Sequence, residues 1–332
     1  MAGAGQTAHR RLDWIKVAVA DTRTQSARSF RHEVRLKALL MVLGLFRLTG
    51  YVTDPLLDSR QVHSIVGEPS RFDSSPPSAS ELTIVSWNIA QGARYDRVRD
   101  ALAALDADIY LLQEVDMGAR RSDYRSVAKN LADDLGLNWV FAGEFQEIGQ
   151  ARGNVPALTG QAILSRYPIH NAFALPFKNQ ARLRWRLDPI QPRRGGRLAL
   201  RAESAGVLVY NAHVESARDD RFRHKQIDEM LVDHLEPARA HLPVVFGGDF
   251  NTGKVPDESP IVRGLIDGGF VDALGAYDTP RRTSVNHAQP LDWIFVRNMA
   301  PQRGRVIEVP KASDHFPLEA AVMLGSWFQL AE

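Results

Sequence analysis

"VFGGDFNT", residues 245–252, carries an apolar strand into two glycines and then sets Asp249 and Asn251 on either side of one phenylalanine. A β-branched and aromatic run ended by glycine reads as a strand entering a turn. Gly247 and Gly248 are expected to let the backbone turn or approach a neighbour closely, because no Cβ stands in the way. Alternate strand residues share a face, so Asp249 and Asn251 are expected to point at one substrate. A carboxylate there can orient or deprotonate a water, and the amide can hold a phosphoryl oxygen.

The same pattern recurs outward from this stretch. "LTIVSWNIA" from Leu82 reads as a buried strand. "RVRDALAALDA" reads as a helix with Val98, Leu102 and Leu105 on one face, and "DIYLLQEV" as the next strand. Further strands are expected at "QAILS", "GRLALRAES", "GVLVYNAHV", "LPVVFGGDF", "LDWIFVRN", "RVIEV" and "PLEAAVM", with helices over 126–136, 219–236 and 259–268. Many strands broken by helices predict a layered α/β (α+β) sandwich rather than a doubly wound sheet, and no GxGxxG loop suggests a dinucleotide.

Most of these strands leave a polar residue near the C-terminal end: Asn88, Glu114, His213, Asp249 with Asn251, and Asp292, which opens "DWIF". Asp314 and His315 sit in the turn "SDHFPL" before the last strand. Ligands gather at strand ends in α/β sheets, so these groups are candidates for one site. Glu114, Asn88 and Asp314 are hard oxygen donors, suited to Mg2+ or Mn2+ rather than zinc. The histidines and remaining carboxylates supply proton transfer and charge neutralisation, the requirements of metal-assisted phosphate-ester hydrolysis. Singly, each has a plainer explanation: Asn88 or Asp292 as a turn cap, Glu114 as a solvent-exposed strand end, Asp314 as a cap, His213 as a satisfied core histidine. The plain explanations weaken when all are taken together.

Composition bounds the rest. The chain has 332 residues, 44% hydrophobic and 24% charged, enough for a sizeable core. It has no cysteine, which excludes disulfide partners, thiolate metal sites and a cysteine nucleophile. Nine of the 41 Lys/Arg and three of the 39 Asp/Glu fall in residues 1–50, leaving 32 bases against 36 acids in the body. A net-acidic body argues against a broad electrostatic grip on duplex DNA. Local basic clusters remain: "RLRWRLDPIQPRRGGR", residues 182–197, brings Arg182, Arg184, Arg186, Arg193, Arg194 and Arg197 together with Trp185. It reads either as a grip on a polyanion with a stacking aromatic or as a solvated loop whose tryptophan packs on the body.

Four segments are expected. Residues 1–66 form a basic and apolar helical extension, 67–81 ("GEPSRFDSSPPSASE") a Ser/Pro-rich linker, 82–324 the catalytic domain and 325–332 a tail. Within the extension, residues 30–48 read as one helix whose apolar run, "LKALLMVLGLF", is shorter than the roughly 20 residues a bilayer needs. Its basic flanks suit docking on the body or a partner, or attachment to an anionic membrane surface. Cytoplasmic location is the default expectation.

"SWNIA", "LLQEV", "QAILSRYPI", "NAHVES", "GGDFNT", "LDWIF" and "SDHFPL", in this order, resemble the endonuclease/exonuclease/phosphatase superfamily, the deoxyribonuclease I-like metal-dependent phosphohydrolases, over roughly residues 82–324. The resemblance implies a four-layer α/β/β/α sandwich of two mixed sheets with helices outside. It implies Glu114 as principal metal ligand assisted by Asn88, with Asp314 as a second ligand. Asp249 would position the attacking water, Asn251 bind phosphate, His315 contact the scissile phosphate and Asp292 orient His315. His213 would be general acid to the leaving oxygen, a position at which the apurinic-site endonuclease branch carries tyrosine, and Arg197 would face the substrate. The implied activity is hydrolysis of phosphodiester bonds with Mg2+ or Mn2+, nominally in nucleic acid. The alternatives are phospholipid, sphingomyelin or inositol-phosphate hydrolysis, and a non-catalytic binding member.

Overall fold

The computed structural model describes residues 54–74, 81–180, 192–216, 220–252, 259–275, 282–288 and 290–324. The expected helix at 30–48, the tail 325–332, and Arg182, Arg184, Trp185 and Arg186 of the basic stretch lie outside the described residues. Fourteen strands are named here in chain order: β1 (Ile65–Glu68), β2 (Glu81–Gln91), β3 (Ile109–Met117), β4 (Asn138–Glu147), β5 (Leu158–Ser165), β6 (Ile169–Pro176), β7 (Arg193–Gly195), β8 (Leu198–Ser204), β9 (Val207–His213), β10 (Val244–Asp249), β11 (Val271–Asp272), β12 (Asp292–Arg297), β13 (Met299–Val306) and β14 (Leu318–Leu324). They form two sheets. One runs β1-β4-β5-β3-β2-β14-β13, with β7 also on β4; the other runs β11-β12-β10-β9-β8-β6. β2 with β3 and β9 with β10 are parallel, and both sheets are therefore mixed.

Period-2 alternation explains how one chain covers both faces of each sheet. In β2, Leu82 and Ile84 enter the layer between the sheets, while Val85, Trp87 and Ile89 face the helices. In β9, Val207 and Val209 face inward, and Leu208, Tyr210 and Ala212 face outward. Helices Tyr95–Leu105 and Val127–Leu135 cover the first sheet through Val98, Leu102, Val127 and Leu131. Helices Asp220–His234 and Pro260–Asp267 cover the second through Ile227, Met230, Ile261 and Leu265. The result is the expected four-layer sandwich of the deoxyribonuclease I type.

The glycine pair does two different jobs. A Cβ on Gly247 would lie 2.5 Å from Leu111 Cδ1 of the facing sheet, so this glycine lets the sheets approach. Gly248 has φ 147, and a Cβ there would lie 1.8 Å from the Ala212 carbonyl oxygen in β9. It therefore lets two parallel strands close beside the site.

Several expectations differ from the structure. β4 was not expected; all ten of its residues are buried, so no alternation marks it, and tertiary partners satisfy its polar members Asn138 and Gln146. The strand expected at "RVIEV" lies earlier, at Met299–Val306, an exposed edge of mixed polarity with no apolar run. Gly67 and Glu68, read as the start of a linker, belong to β1, an edge strand paired to β4 through Gly67↔Val140. The sheet thus begins before Leu82. Among the described residues no helix is long and apolar enough to cross a membrane.

His234 is buried against Phe246 and Phe270, and neither ring nitrogen has a hydrogen-bond partner among the described residues. Burial, followed by the Arg297 and Arg239 charges, pulls its pKa from 6.5 down to about 4. The unfolded chain takes up a proton below 6.5 and the folded chain only near 4, so stability falls as pH drops through that window. His234→Leu is expected to raise the melting temperature relative to wild type more at pH 5 than at pH 8. Equal differences at both pH values would contradict this reading.

Candidate active site

The inward-facing alternation that builds the core also builds the site, because its last members at one end of the sandwich are polar. Asn88 continues the inward series of β2, His213 that of β9, Asp249 that of β10 and Asp292 that of β12. Register then sets them side by side: Asp249 pairs with His213 across the parallel β9–β10 ladder and with Asp292 across the antiparallel β10–β12 ladder. Paired residues share a face, so three side chains stand in a row across the second sheet.

The Asp249 carboxylate is the centre. Its Oδ2 accepts a hydrogen bond from Asn88 Nδ2 at 3.2 Å and lies 3.4 Å from His213 Nε2 and 3.8 Å from His315 Nε2. Its Oδ1 accepts from the Asn251 backbone N–H at 3.0 Å. His315 Nδ1 lies 2.8 Å from Asp292 Oδ2. The "SDHFPL" turn is held by Ser313 Oγ, which donates to the Asn88 carbonyl at 2.7 Å, and by Trp87 Nε1, which donates to the His315 carbonyl at 2.9 Å. Thr283 supports Asp292 from below, its Oγ1 accepting from the backbone N–H groups of Leu291 and Asp292.

Burial and charge separate the two histidines. For His315, burial alone would lower the pKa, but the Asp292 carboxylate, with Asp249 and Asp314 behind it, raises it to about 10. It is an imidazolium at neutral pH. For His213, burial and then the Arg197, His315 and Arg193 charges drive the pKa well below 6.5. It is neutral, and its Nδ1 has no hydrogen-bond partner among the described residues, the Glu114 carboxylate lying 3.9 Å away. The sequence reading makes His213 the proton donor; in the free protein the charged histidine is His315. Asp249 is pushed above the usual carboxylate range by burial and then by the adjacent Asp292 charge.

Glu114 and Asp314 stand apart from this cluster. Together with Ala90, Gln91, Ala93, Arg94 and Ala312 they line a pocket of about 350 Å³. Glu114 reaches it because β3 carries a bulge: the register with β5 jumps from Leu112↔Ala162 to Val115↔Gly160, and Glu114 takes φ 50. In the opposing β2, Ala90 and Gln91 are also left-handed, and Gln91 Nε2 donates to the Glu114 carboxylate. Non-glycine residues held in such conformations are costly and concentrate at working sites. Without the extra residue, strand alternation would send Glu114 toward the helices with Leu112.

Two oxygen-donor carboxylates facing one pocket fit a hard divalent cation. Asn88 stands with the Asp249 cluster, its Nδ2 donating to Asp249 and its Oδ1 accepting from the Ala90 backbone N–H at 3.1 Å. Asp249, Asp292 and His315 also bring one donor atom each within 4.8 Å of one another, although His315 Nδ1 is already taken by Asp292.

Two expected residues sit differently. Asn251 does not continue the strand; it has φ 46, closes a turn on Asp249, and its side chain donates to the Val214 carbonyl at 3.2 Å. A short polar side chain tolerates the left-handed turn, and local hydrogen bonding overrides the strand period. Arg197 is buried against Glu144, with Nη1 3.3 Å from Oε2, and stacks on Phe145 at 5.3 Å, so it acts on His213 through charge. Sequence reading missed Gln91 and Ser313, which lie beside or in the recognised motifs but bear no chemistry that singles them out, and Thr283, which lies eight residues before the nearest motif.

Residues 85–315 match the model of the Endonuclease/Exonuclease/phosphatase family. The chain belongs to this family. The family consists of phosphoesterase hydrolases, and the protein is a hydrolase of that superfamily. Solved structures share the fold. An endonuclease/exonuclease/phosphatase from Beutenbergia cavernae is 19% identical with a TM-score of 0.56, covering 74% of this chain and 72% of that one. The human Nocturnin catalytic domain is 17% identical with a TM-score of 0.56, covering 82% and 100%. An AP endonuclease from Archaeoglobus fulgidus is 17% identical with a TM-score of 0.51, covering 72% and 98%. No curated protein matches the chain.

Proposed function

We propose that this family member is a divalent-metal-dependent phosphodiesterase, acting nominally on nucleic acid by in-line attack of water. The observation that carries the reading is the convergence of Asn88, His213 and His315 on one Asp249 oxygen, beside a pocket lined by Glu114 and Asp314. Glu114, Asp314 and Asn88 would hold Mg2+ or Mn2+. The bound ion would polarise a phosphoryl oxygen and offset its charge.

The chain's own groups divide the remaining work. Asp249 orients the attacking water and accepts its proton, a task its raised proton affinity suits. The His315 imidazolium, held by Asp292, neutralises charge that builds on the phosphoryl oxygens. Asn251, at the same strand end, binds phosphate through its amide. His213 starts neutral; an arriving phosphate raises its proton affinity so that it takes up a proton from solvent, and it then passes that proton to the leaving oxygen and returns to the neutral form. Arg94 on the pocket wall, and Arg193 and Arg194 in β7, supply local positive charge for a polyanion.

The test is Mg2+-dependent release from a matched panel of supercoiled plasmid, single-stranded DNA, RNA, sphingomyelin liposomes, an inositol polyphosphate and bis-p-nitrophenyl phosphate. Asp249→Asn protein serves as the blank. Release from a nucleic acid, abolished by EDTA and absent from the blank, is the expected result. Release confined to liposomes would move the substrate to lipid headgroups, the reading that the basic-flanked apolar segment 30–48 favours. A folded protein silent on every member would overturn the phosphodiesterase reading.

A further inference from the structure

Asn211 stands in β9 two residues before His213, buried between the sheets with no exposed surface. Its Oδ1 accepts a hydrogen bond from Gln113 Nε2 at 2.7 Å, which fixes the orientation of the amide. Its Nδ2 then donates to two carbonyls of the opposite sheet, Leu112 in β3 and Ala162 in β5, each at 2.8 Å. Those carbonyls mark the last regular pair before the bulge. The next pair is Val115↔Gly160, so Gln113 and Glu114 together oppose Gln161 alone. Gln113 Nε2 also donates to the Leu111 carbonyl at 2.8 Å, which ties the bulged segment to its own strand.

A bulge bends a ladder and leaves an extra residue unpaired, and in a dry layer the polar groups beside it need donors from elsewhere. Here the facing sheet provides one. We propose that Asn211 is a positioning residue for Glu114: its amide pins the β3 bulge from the opposite sheet and so holds the Glu114 carboxylate toward the pocket. Metal affinity is then set partly by a side chain that touches neither metal nor substrate. Losses of about 10- to 100-fold in affinity are the usual result of removing such a support. The inference rests on the reading that Glu114 holds the metal.

The experiment is calorimetric titration of the full chain with Mn2+, alongside the Mn2+ concentration giving half-maximal hydrolysis of bis-p-nitrophenyl phosphate. The variants are Asn211→Leu, Gln113→Met, Glu114→Gln and Ser165→Ala. Ser165 Oγ meets Ser204 Oγ at 2.8 Å across the sheets at the opposite end of the strands, so its loss weakens the inter-sheet layer without touching the bulge. Wild type is expected to bind Mn2+ and Glu114→Gln to lose binding. Asn211→Leu should bind at least about tenfold more weakly, with turnover largely restored at saturating Mn2+. Gln113→Met, which frees the amide without deleting it, should shift in the same direction by less, and it carries the test if Asn211→Leu fails to fold. Ser165→Ala should lower the melting temperature and leave the Mn2+ midpoint within twofold of wild type. Wild-type affinity in folded Asn211→Leu or Gln113→Met, with Glu114→Gln dead, would overturn the positioning role alone. A Mn2+ midpoint moved as far by Ser165→Ala would overturn it too, making the effect general loosening. Wild type that binds no Mn2+, or Glu114→Gln that binds it fully, would overturn the metal-ligand reading and the inference with it.

Discussion

Asp249→Asn is expected to fold with a melting temperature equal to or above that of wild type at pH 8 while losing at least about 100-fold in turnover. The two expectations share one cause. Asp249 is buried beside Asp292, and both its desolvation and that neighbouring charge disfavour the ionised form. A carboxylate ionised under those conditions destabilises the fold, and a neutral amide of the same shape removes the penalty. The amide oxygen can keep one of the two hydrogen bonds Asp249 accepts, from the Asn251 N–H at Oδ1 or from Asn88 Nδ2 at Oδ2. What it cannot do is accept a proton from water. Circular dichroism and thermal melts check the first half, and single-substrate kinetics the second. Wild-type turnover in a folded variant would remove Asp249 from the mechanism.

Asp292→Asn is expected to lower kcat/KM at pH 8 by about 100-fold, the scale of losing one fixed electrostatic stabiliser, with a loss that depends on pH. Burial works against the His315 charge; the Asp292 oxygen 2.8 Å from Nδ1 overcomes it and keeps the pKa near 10. Without that carboxylate the imidazolium survives only at lower pH. The ratio of variant to wild-type activity should therefore rise as pH falls from 8 to 6. Stability follows the same sign: the folded pKa lies above the unfolded value of 6.5, so the stabilisation is complete below 6.5 and disappears as pH rises through about 10. The variant's melting-temperature deficit should shrink toward pH 10. A pH-independent activity ratio would mean that Asp292 holds the turn and not the charge.

Both predictions concern residues that short motifs identify, and much of the architecture is legible the same way. Apolar runs mark β2, β3, β9 and β10, which are buried on both faces, and an apolar stripe marks the helices Tyr95–Leu105, Val127–Leu135 and Pro260–Asp267. The helix Asp220–His234 is largely polar and shows the stripe only weakly. β4 escapes and β13 is misplaced, for opposite reasons. The first is covered on both sides and carries polar groups whose partners are remote in sequence, such as Gln146 with the backbone of Leu57. The second is an exposed edge with no hydrophobic run.

The site divides similarly. Strand-end placement in the sequence singles out Asn88, Glu114, His213, Asp249, Asn251, Asp292, Asp314 and His315 as candidates, since each follows or borders an apolar strand, and the resemblance supplies the roles they are given. The absence of cysteine also excludes thiolate ligands outright. Only the folded molecule decides how these groups are used. The Asx turn that takes Asn251 out of strand alternation is local, but its competition with the strand is settled by the Val214 carbonyl it meets. The charge on His315 and its absence on His213 depend on Asp292, Arg197 and Arg193, which lie far from them in sequence. The direction of Glu114 depends on a bulge whose flanking carbonyls are held from the opposite sheet. Periodicity is a property of consecutive residues and is written in the chain; proton affinity and the aim of a strained side chain are set by neighbours that only packing brings within a few ångströms.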